Sequence, residues 1–264
     1  MFLPAVMPSI DSIPIYIIGL LVVAGLSIVI EVGYQFGKRI ADERGLNKHP
    51  VEASVTTAIL SLMAFMLGFS FANATSRYIK RQDLMLEDAN TASTLYLRAD
   101  FLPPEKIERS RALIREYVQL RANAVNAQDL KKLSSAIQPS LEIQRELWDI
   151  TVEARSLSKN VSLNLYISTL NDLIDTHSKR QTAAIVNRFP PTLWLTLTFL
   201  GVMSTVMMGF ISGLHGRRSR LATTSLLVAF SVVIVLIVDL DRPIRSLIEQ
   251  KDRPAEQALK NMKP

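Results

Sequence analysis

Apolar residues along this chain gather in four long blocks rather than alternating with polar ones. The first, IPIYIIGLLVVAGLSIVI, runs from Ile13 to Ile30 and is followed by Glu31. The second begins at Ala53 and carries no charge until Arg77, Lys80 and Arg81. The third and fourth are TLWLTLTFLGVMSTVMMGFISGL and LATTSLLVAFSVVIVLIV. Each is close to the roughly 20 apolar residues that a helix needs to cross a bilayer core. They predict spans over 13–36, 53–76, 192–214 and 221–238. No Pro or Gly follows Gly68 in the second block, so one long helix is expected to leave the membrane and continue into an aqueous region.

Between residues 77 and 188 the period is helical, and no alternating β pattern of useful length occurs. Tyr78, Met85, Ala89, Ala92, Tyr96 and Ala99 fall on one stripe, away from most of the charges. Pro103-Pro104 ends that helix and starts the next one, with Glu105 in its first turn. Asn126–Asp129 is a plausible turn. A helix over 129–157 is expected to kink or split near Gln138, because Pro139 follows. A further helix spans 159–188, and Phe189-Pro190-Pro191 breaks it.

The expected fold class is therefore all-α. It has four transmembrane helices in a 2+2 order, with a helical bundle inserted between spans two and three. The regions are a membrane hairpin at 1–76, the aqueous domain at 77–191, a second membrane hairpin at 192–240 and a tail at 241–264. Leu240, Ile244, Leu247 and Ile248 give the tail one or two amphipathic turns, and fraying is expected past Asp252. A cleaved signal peptide would need a positive N-terminal region, and none precedes the first block. Gly19, Ala24, Gly25, Ser27 and Gly33 would let another helix approach the first span closely.

Composition narrows the function. The 264 residues are 48% apolar and only 7% aromatic, with no cysteine. Disulfides, thiolate catalysis and cysteine-bound metals are thereby excluded. The net charge of +6 comes from residues interleaved with acids, which argues against a nucleic-acid partner. His49, His177 and His215 have no partner at metal-ligand spacing, and His177 reads as a packed core histidine. No phosphate loop, catalytic triad or HExxH occurs, so no cofactor, metal or enzymatic activity is expected. Glu87-Asp88 could hold a cation, but paired acids on a helix read first as a solvated face.

The sidedness rule weighs short loops most. Lys38, Arg39, Arg44 and Lys48 in one loop and Arg217, Arg218 and Arg220 in the other favour cytoplasmic loops and an extracytoplasmic middle domain. Arg77, Lys80, Arg81, Arg242 and Arg245 lie near membrane ends on the opposite side.

The candidate chemistry lies in span two and at its exit. Thr57, Ser61, Gly68, Ser70, Asn73 and Thr75 are candidates to line a water-filled path, against the plainer reading of helix–helix packing. Glu31, Arg77, Arg81, Asp239, Asp241 and Arg242 are candidates for a pore mouth or for a juxtamembrane ion-pair network tying span two to span four.

The segments GFSFANATSRYIKRQDLMLEDANTASTLYLRADFLPP and VDLDRPIR resemble the signature segments of the bacterial bestrophin-like domain membrane proteins. The resemblance covers about 15–250 and marks Arg77, Tyr78, Arg81, Glu87, Tyr96, Leu97, Arg98, Asp239, Asp241, Arg242 and Pro243. It implies kinship to bestrophins, which are oligomeric anion channels with four spans and a helical cytosolic body. No run of aromatics of the kind that lines a bestrophin pore neck is evident. Together these readings predict a homo-oligomeric, multi-pass protein of the cell (inner) membrane that conducts small inorganic ions, with the lipid bilayer and its own copies as partners. The alternative is a membrane-anchored sensor or scaffold whose helical domain binds a protein.

Overall fold

The computed structural model describes residues 13–44, 50–127, 130–157, 161–216, 220–242 and 252–262. Every regular element among them is helical. In chain order these are α1 (Ile15–Arg44), α2 (Pro50–Arg98), α3 (Pro104–Asn126), α4 (Leu130–Ser135), α5 (Ile137–Leu157), α6 (Leu163–Gln181), α7 (Pro191–Leu214), α8 (Arg220–Asp241) and α9 (Arg253–Asn261). A 3₁₀ turn, Ala99–Phe101, follows α2, and a π-helical turn, Thr182–Val186, follows α6. Among the described residues four helices, α1, α2, α7 and α8, are long and apolar enough to cross a membrane.

The second block is one uninterrupted helix of 49 residues, as its lack of internal breakers predicts. At 1.5 Å per residue it is about 74 Å long, more than twice the thickness of a bilayer core. The first span is longer than expected: α1 continues through Lys38 and Arg39 to Arg44, where a loop was predicted. Residues 45–49 of that loop lie outside the described residues and its last three, 50–52, open α2; Arg217, Arg218 and the 243–250 stretch with Pro243, Ile244, Arg245, Leu247 and Ile248 also lie outside.

The helix expected over 129–157 does split near Gln138. The chain breaks at Ala136, two residues before Gln138, and α5 restarts at Ile137. Pro139 thus sits in a first helical turn, where its missing N–H would have had no intrahelical acceptor. The tail does not fray past Asp252. It forms α9, capped by Asp252, whose side chain accepts from the Ala255 N–H at 3.2 Å.

The chain divides into two compact units. One comprises Met7–Arg77 and Phe189–Asp241. Here α1 packs along α7 with reciprocal glycines. A Cβ on Gly33 or Gly37 would lie 2.3 Å from Val206 O or 2.1 Å from Phe210 O. A Cβ on Gly209 or Gly213 would lie 2.2 Å from Ile30 O or 2.3 Å from Tyr34 O. Two glycines four residues apart on each helix bring the backbones into direct contact, which replaces the missing hydrophobic drive between helices in lipid. Of the small residues singled out on α1, Gly33 is in this seam. A Cβ on Gly19 would lie 3.3 Å from Val235 Cγ2, and one on Gly25 would meet nothing within 4 Å.

The other unit comprises Tyr78–Arg188 and Arg242–Pro264. Its core is built by the aqueous half of α2 with α3, α5, α6 and α9. Leu95, Ile114, Leu147, Leu170 and Leu173 are fully buried, and Ala255, Ala258 and Met262 of α9 join them. The predicted α2 stripe is this core's α2 face: Met85, Ala89, Ala92, Tyr96 and Ala99 are buried, and Tyr78 is half-buried.

Candidate functional site

The long helix α2 has two opposite faces along its whole length. Thr56, Met63, Leu67, Ser70, Ala74, Arg81, Leu84, Asp88, Ala92, Leu95 and Ala99 recur every three, four or seven residues, and all are buried. Across the helix, Ser54, Ala58, Ser61, Phe65, Phe69, Ala72, Ser76, Ile79, Asp83, Leu86, Asn90, Thr94 and Leu97 recur every three or four residues, and all are exposed. This second stripe keeps helical period from the apolar block through the charged one.

Of the candidate path residues, Thr57, Ser61 and Gly68 lie on the exposed side. The Thr57 hydroxyl donates to Ala53 O at 3.0 Å and Ser61 to Thr57 O at 2.8 Å. Each hydroxyl is satisfied by its own helix, so it is tolerated in lipid and still has a lone pair to offer. Thr75 is half-buried, with an enclosed hydroxyl that has no partner. Asn73 is engaged within the helix, where its Oδ1 accepts from Arg77 Nε at 3.0 Å. Ser70 is not on the exposed stripe: it is fully buried on the opposite face.

Sequence reasoning passed over the aromatics of this stripe. Phe65 and Phe69 are 69% and 50% exposed on consecutive turns. Among mostly aliphatic residues they read as ordinary span residues, and only their shared exposed face sets them apart.

The candidate mouth residues do not all behave alike. Glu31 accepts weakly from Gln35 Nε2 at 3.4 Å, within α1. Asp241 is buried and its Oδ1 accepts from the Phe189 N–H at 2.8 Å, which ties the end of α8 to the turn before α7. Asp239 is buried as well. Arg81 and Arg242 are both buried, and an Arg81 terminal nitrogen donates to the Arg242 carbonyl at 3.4 Å. The Arg81–Arg242 link is thus a guanidinium-to-backbone bond.

A buried polar cluster in the helical bundle has no counterpart in the predictions. Asp88, Arg121, Arg180 and Asp252 come from α2, α3, α6 and the cap of α9, and all four are buried. Arg180 donates one terminal nitrogen to Asp88 Oδ2 and the other to Asp252 Oδ2, both at 2.5 Å. Arg121 Nε is 3.9 Å from Asp88 Oδ2 and makes no hydrogen bond. Tyr117 donates to Asp88 Oδ1 at 2.8 Å and meets His177 Nδ1 at 3.2 Å.

Burial, and then the Asp88 charge, push the Tyr117 phenol well above its usual range. Burial, reinforced by Arg121, lowers His177 to about 4, so His177 is neutral. Burial and Arg180 lower Arg121, whereas the two carboxylates raise Arg180 in spite of its burial. Two acids and two guanidiniums therefore close as a neutral set. The Glu87-Asp88 pair, read as one solvated face, divides: Glu87 faces out, 3.8 Å from Lys179, while Asp88 is inside. His177 is a core histidine, as expected.

Residues 20–245 match the family model described as the bestrophin-like domain. The fold is similar to crystal structures of two single-site variants of a bacterial bestrophin homologue from Klebsiella pneumoniae. One is 16% identical with a TM-score of 0.67, the other 14% identical with a TM-score of 0.64, and each comparison covers 94% of this chain and 97% of that one. A variant of a protein described only as a membrane protein is 15% identical, with a TM-score of 0.69 and the same coverage. A comparison with curated proteins finds no significant match. An all-helical chain with four membrane-length helices, matched by the family model over most of its length, belongs to the bestrophin-like domain family.

Proposed function

We propose that this chain forms a homo-oligomeric membrane channel for small inorganic ions, with α2 lining the path. In this reading α1 and α2 form one membrane hairpin and α7 and α8 the other, and the bundle between them is an inserted aqueous domain. The observation that carries it is the exposed stripe of α2, which in a family of this name finds its natural cover in a shared axis. Thr57, Ser61 and Gly68 would line the path, and Phe65 and Phe69 would narrow it as apolar rings that gate by dewetting. Asn73, held by Arg77, and Thr75 flank it.

Family membership, together with Arg77, Lys80, Arg81 and Arg242 beside the membrane ends, favours a cytoplasmic place for the bundle over the side that loop charge suggests.

Purified protein in planar bilayers or liposomes tests the proposal. Flux is expected, and Phe65→Ala is expected to raise conductance several-fold. Absence of flux of any small ion under varied voltage, pH and calcium sinks the channel reading. Unchanged conductance in Phe65→Ala and Ser61→Leu refutes the lining assignment. The sensor or scaffold reading draws support from Trp148 and Val152, exposed on successive turns of α5. A stoichiometric protein partner together with a silent bilayer would favour it.

A further inference from the structure

The four buried charges of the helical bundle differ in where they come from. Asp88, Arg121 and Arg180 lie on the long helices α2, α3 and α6, whereas Asp252 is contributed by the start of a helix only nine residues long. A helix of that length does not hold together alone in water, so α9 is folded only because it is docked. Its docking contacts are of two kinds. Ala255, Ala258 and Met262 are buried in the bundle core. At its N-terminal end Asp252 binds Arg180, the Asp252 N–H donates to Asn126 Oδ1 at 3.1 Å, and Asn126 Nδ2 donates to Glu256 Oε1 at 2.8 Å.

The charge count shows what docking supplies. Without Asp252, two enclosed guanidiniums face the single carboxylate of Asp88, and Arg121 already stands 3.9 Å from it with no hydrogen bond. A net buried cation is costly and strongly favours an incoming carboxylate. Asp252 meets this need while also capping its own helix through Ala255 N, so folding and binding of the tail are one event.

We propose that Arg180 and Arg121 form a carboxylate-binding socket in the bundle, and that the C-terminal helix is its removable ligand, an acid-capped peptide bound in cis. The socket, with the apolar sites for Ala255, Ala258 and Met262 beside it, recognises a short helix opened by an aspartate. The tail leaves and returns as a unit without unfolding the rest of the bundle.

Hydrogen exchange on the full chain tests the dynamics. Amides of α9 are expected to exchange at least about tenfold faster than those of α3 and α6, and in Asp252→Asn about tenfold faster again, with α3 and α6 unchanged. Exchange of α9 in step with α3 in the native chain, or no effect of Asp252→Asn on α9, overturns the proposal. A second measurement addresses binding directly. A free peptide spanning 252–264 is expected to bind full-length Asp252→Asn, whose own tail has lost its anchor. The same peptide carrying Asn at its first position is expected to bind at least about tenfold more weakly. Equal binding of the two peptides, or no binding of either, refutes the socket.

Discussion

The seam between α1 and α7 makes the sharpest prediction. A Cβ on Gly209 would stand 2.2 Å from Ile30 O and 2.9 Å from Tyr34 N, both backbone atoms. Neither can swing aside as a side-chain tip would. To restore an ordinary contact the two helices must separate by roughly 1 Å, and a gap of that size forfeits up to about half of each dispersion well along the contact. Overpacking of this kind costs about 1–3 kcal/mol, and the rigid backbone on the far side places Gly209→Ala at the upper end, about 2–3 kcal/mol. The control is Gly25→Ala on α1, where the added methyl meets nothing within 4 Å. Both substitutions exchange Gly for Ala inside a helix, so intrinsic propensity cancels between them. Unfolding in mixed micelles by titration with SDS, followed by loss of helicity, compares the two. Gly209→Ala is expected to unfold at clearly lower SDS and Gly25→Ala at or above the native midpoint. Unfolding free energies of the two variants agreeing to within about 0.5 kcal/mol would refute the backbone-contact argument.

Other consequences follow from the buried cluster. Asp88→Asn leaves Arg180 and Arg121 with the single carboxylate of Asp252, and is expected to destabilise the bundle by about 3–5 kcal/mol in chemical denaturation. Glu87→Gln breaks an exposed 3.8 Å pair with Lys179, keeps an oxygen for the 3.3 Å bond from the Thr176 hydroxyl, and is expected to cost under about 1 kcal/mol; a loss equal to that of Asp88→Asn would show the split between the two acids to be wrong. His177 titrates near 4 in the folded chain, against an ordinary value of 6.5, so the unfolded chain takes up its proton first. The stability held by neutral His177 is therefore complete above pH 6.5 and lost as pH falls from 6.5 to 4, by about 3 kcal/mol in all. His177→Gln should remove that portion of the pH slope, and an unchanged slope between pH 6 and 4.5 would show that His177 does not carry it. Tyr117→Phe deletes the donor to Asp88 Oδ1 and is expected to cost about 1.5–3 kcal/mol by the same denaturation assay.

Much of this architecture is local in origin and was legible residue by residue. The four membrane-length helices, the unbroken run from the second apolar block into the charged one and the Pro-Pro breaks at 103–104 and 190–191 follow from runs of apolar residues and from backbone rules that act over one turn. The α2 stripe through Met85, Ala92 and Tyr96 was legible for the same reason, because helical period turns spacing directly into a face. What spacing leaves open is what covers each face. Ser70 and Ser61 are nine residues apart and chemically alike, yet one is enclosed and the other exposed, because only packing decides which side of α2 meets the rest of the chain. Gly37, Gly209 and Gly213 look no different in sequence from Gly25, and only the crossing of α1 and α7 makes them obligatory. Asp88, Arg121, Arg180 and Asp252 are separated by up to 164 positions (252 − 88), and each alone reads as a solvated charge. Their neutral closure is a fact of tertiary structure, since the cost of burying a charge depends on partners that no local pattern encodes.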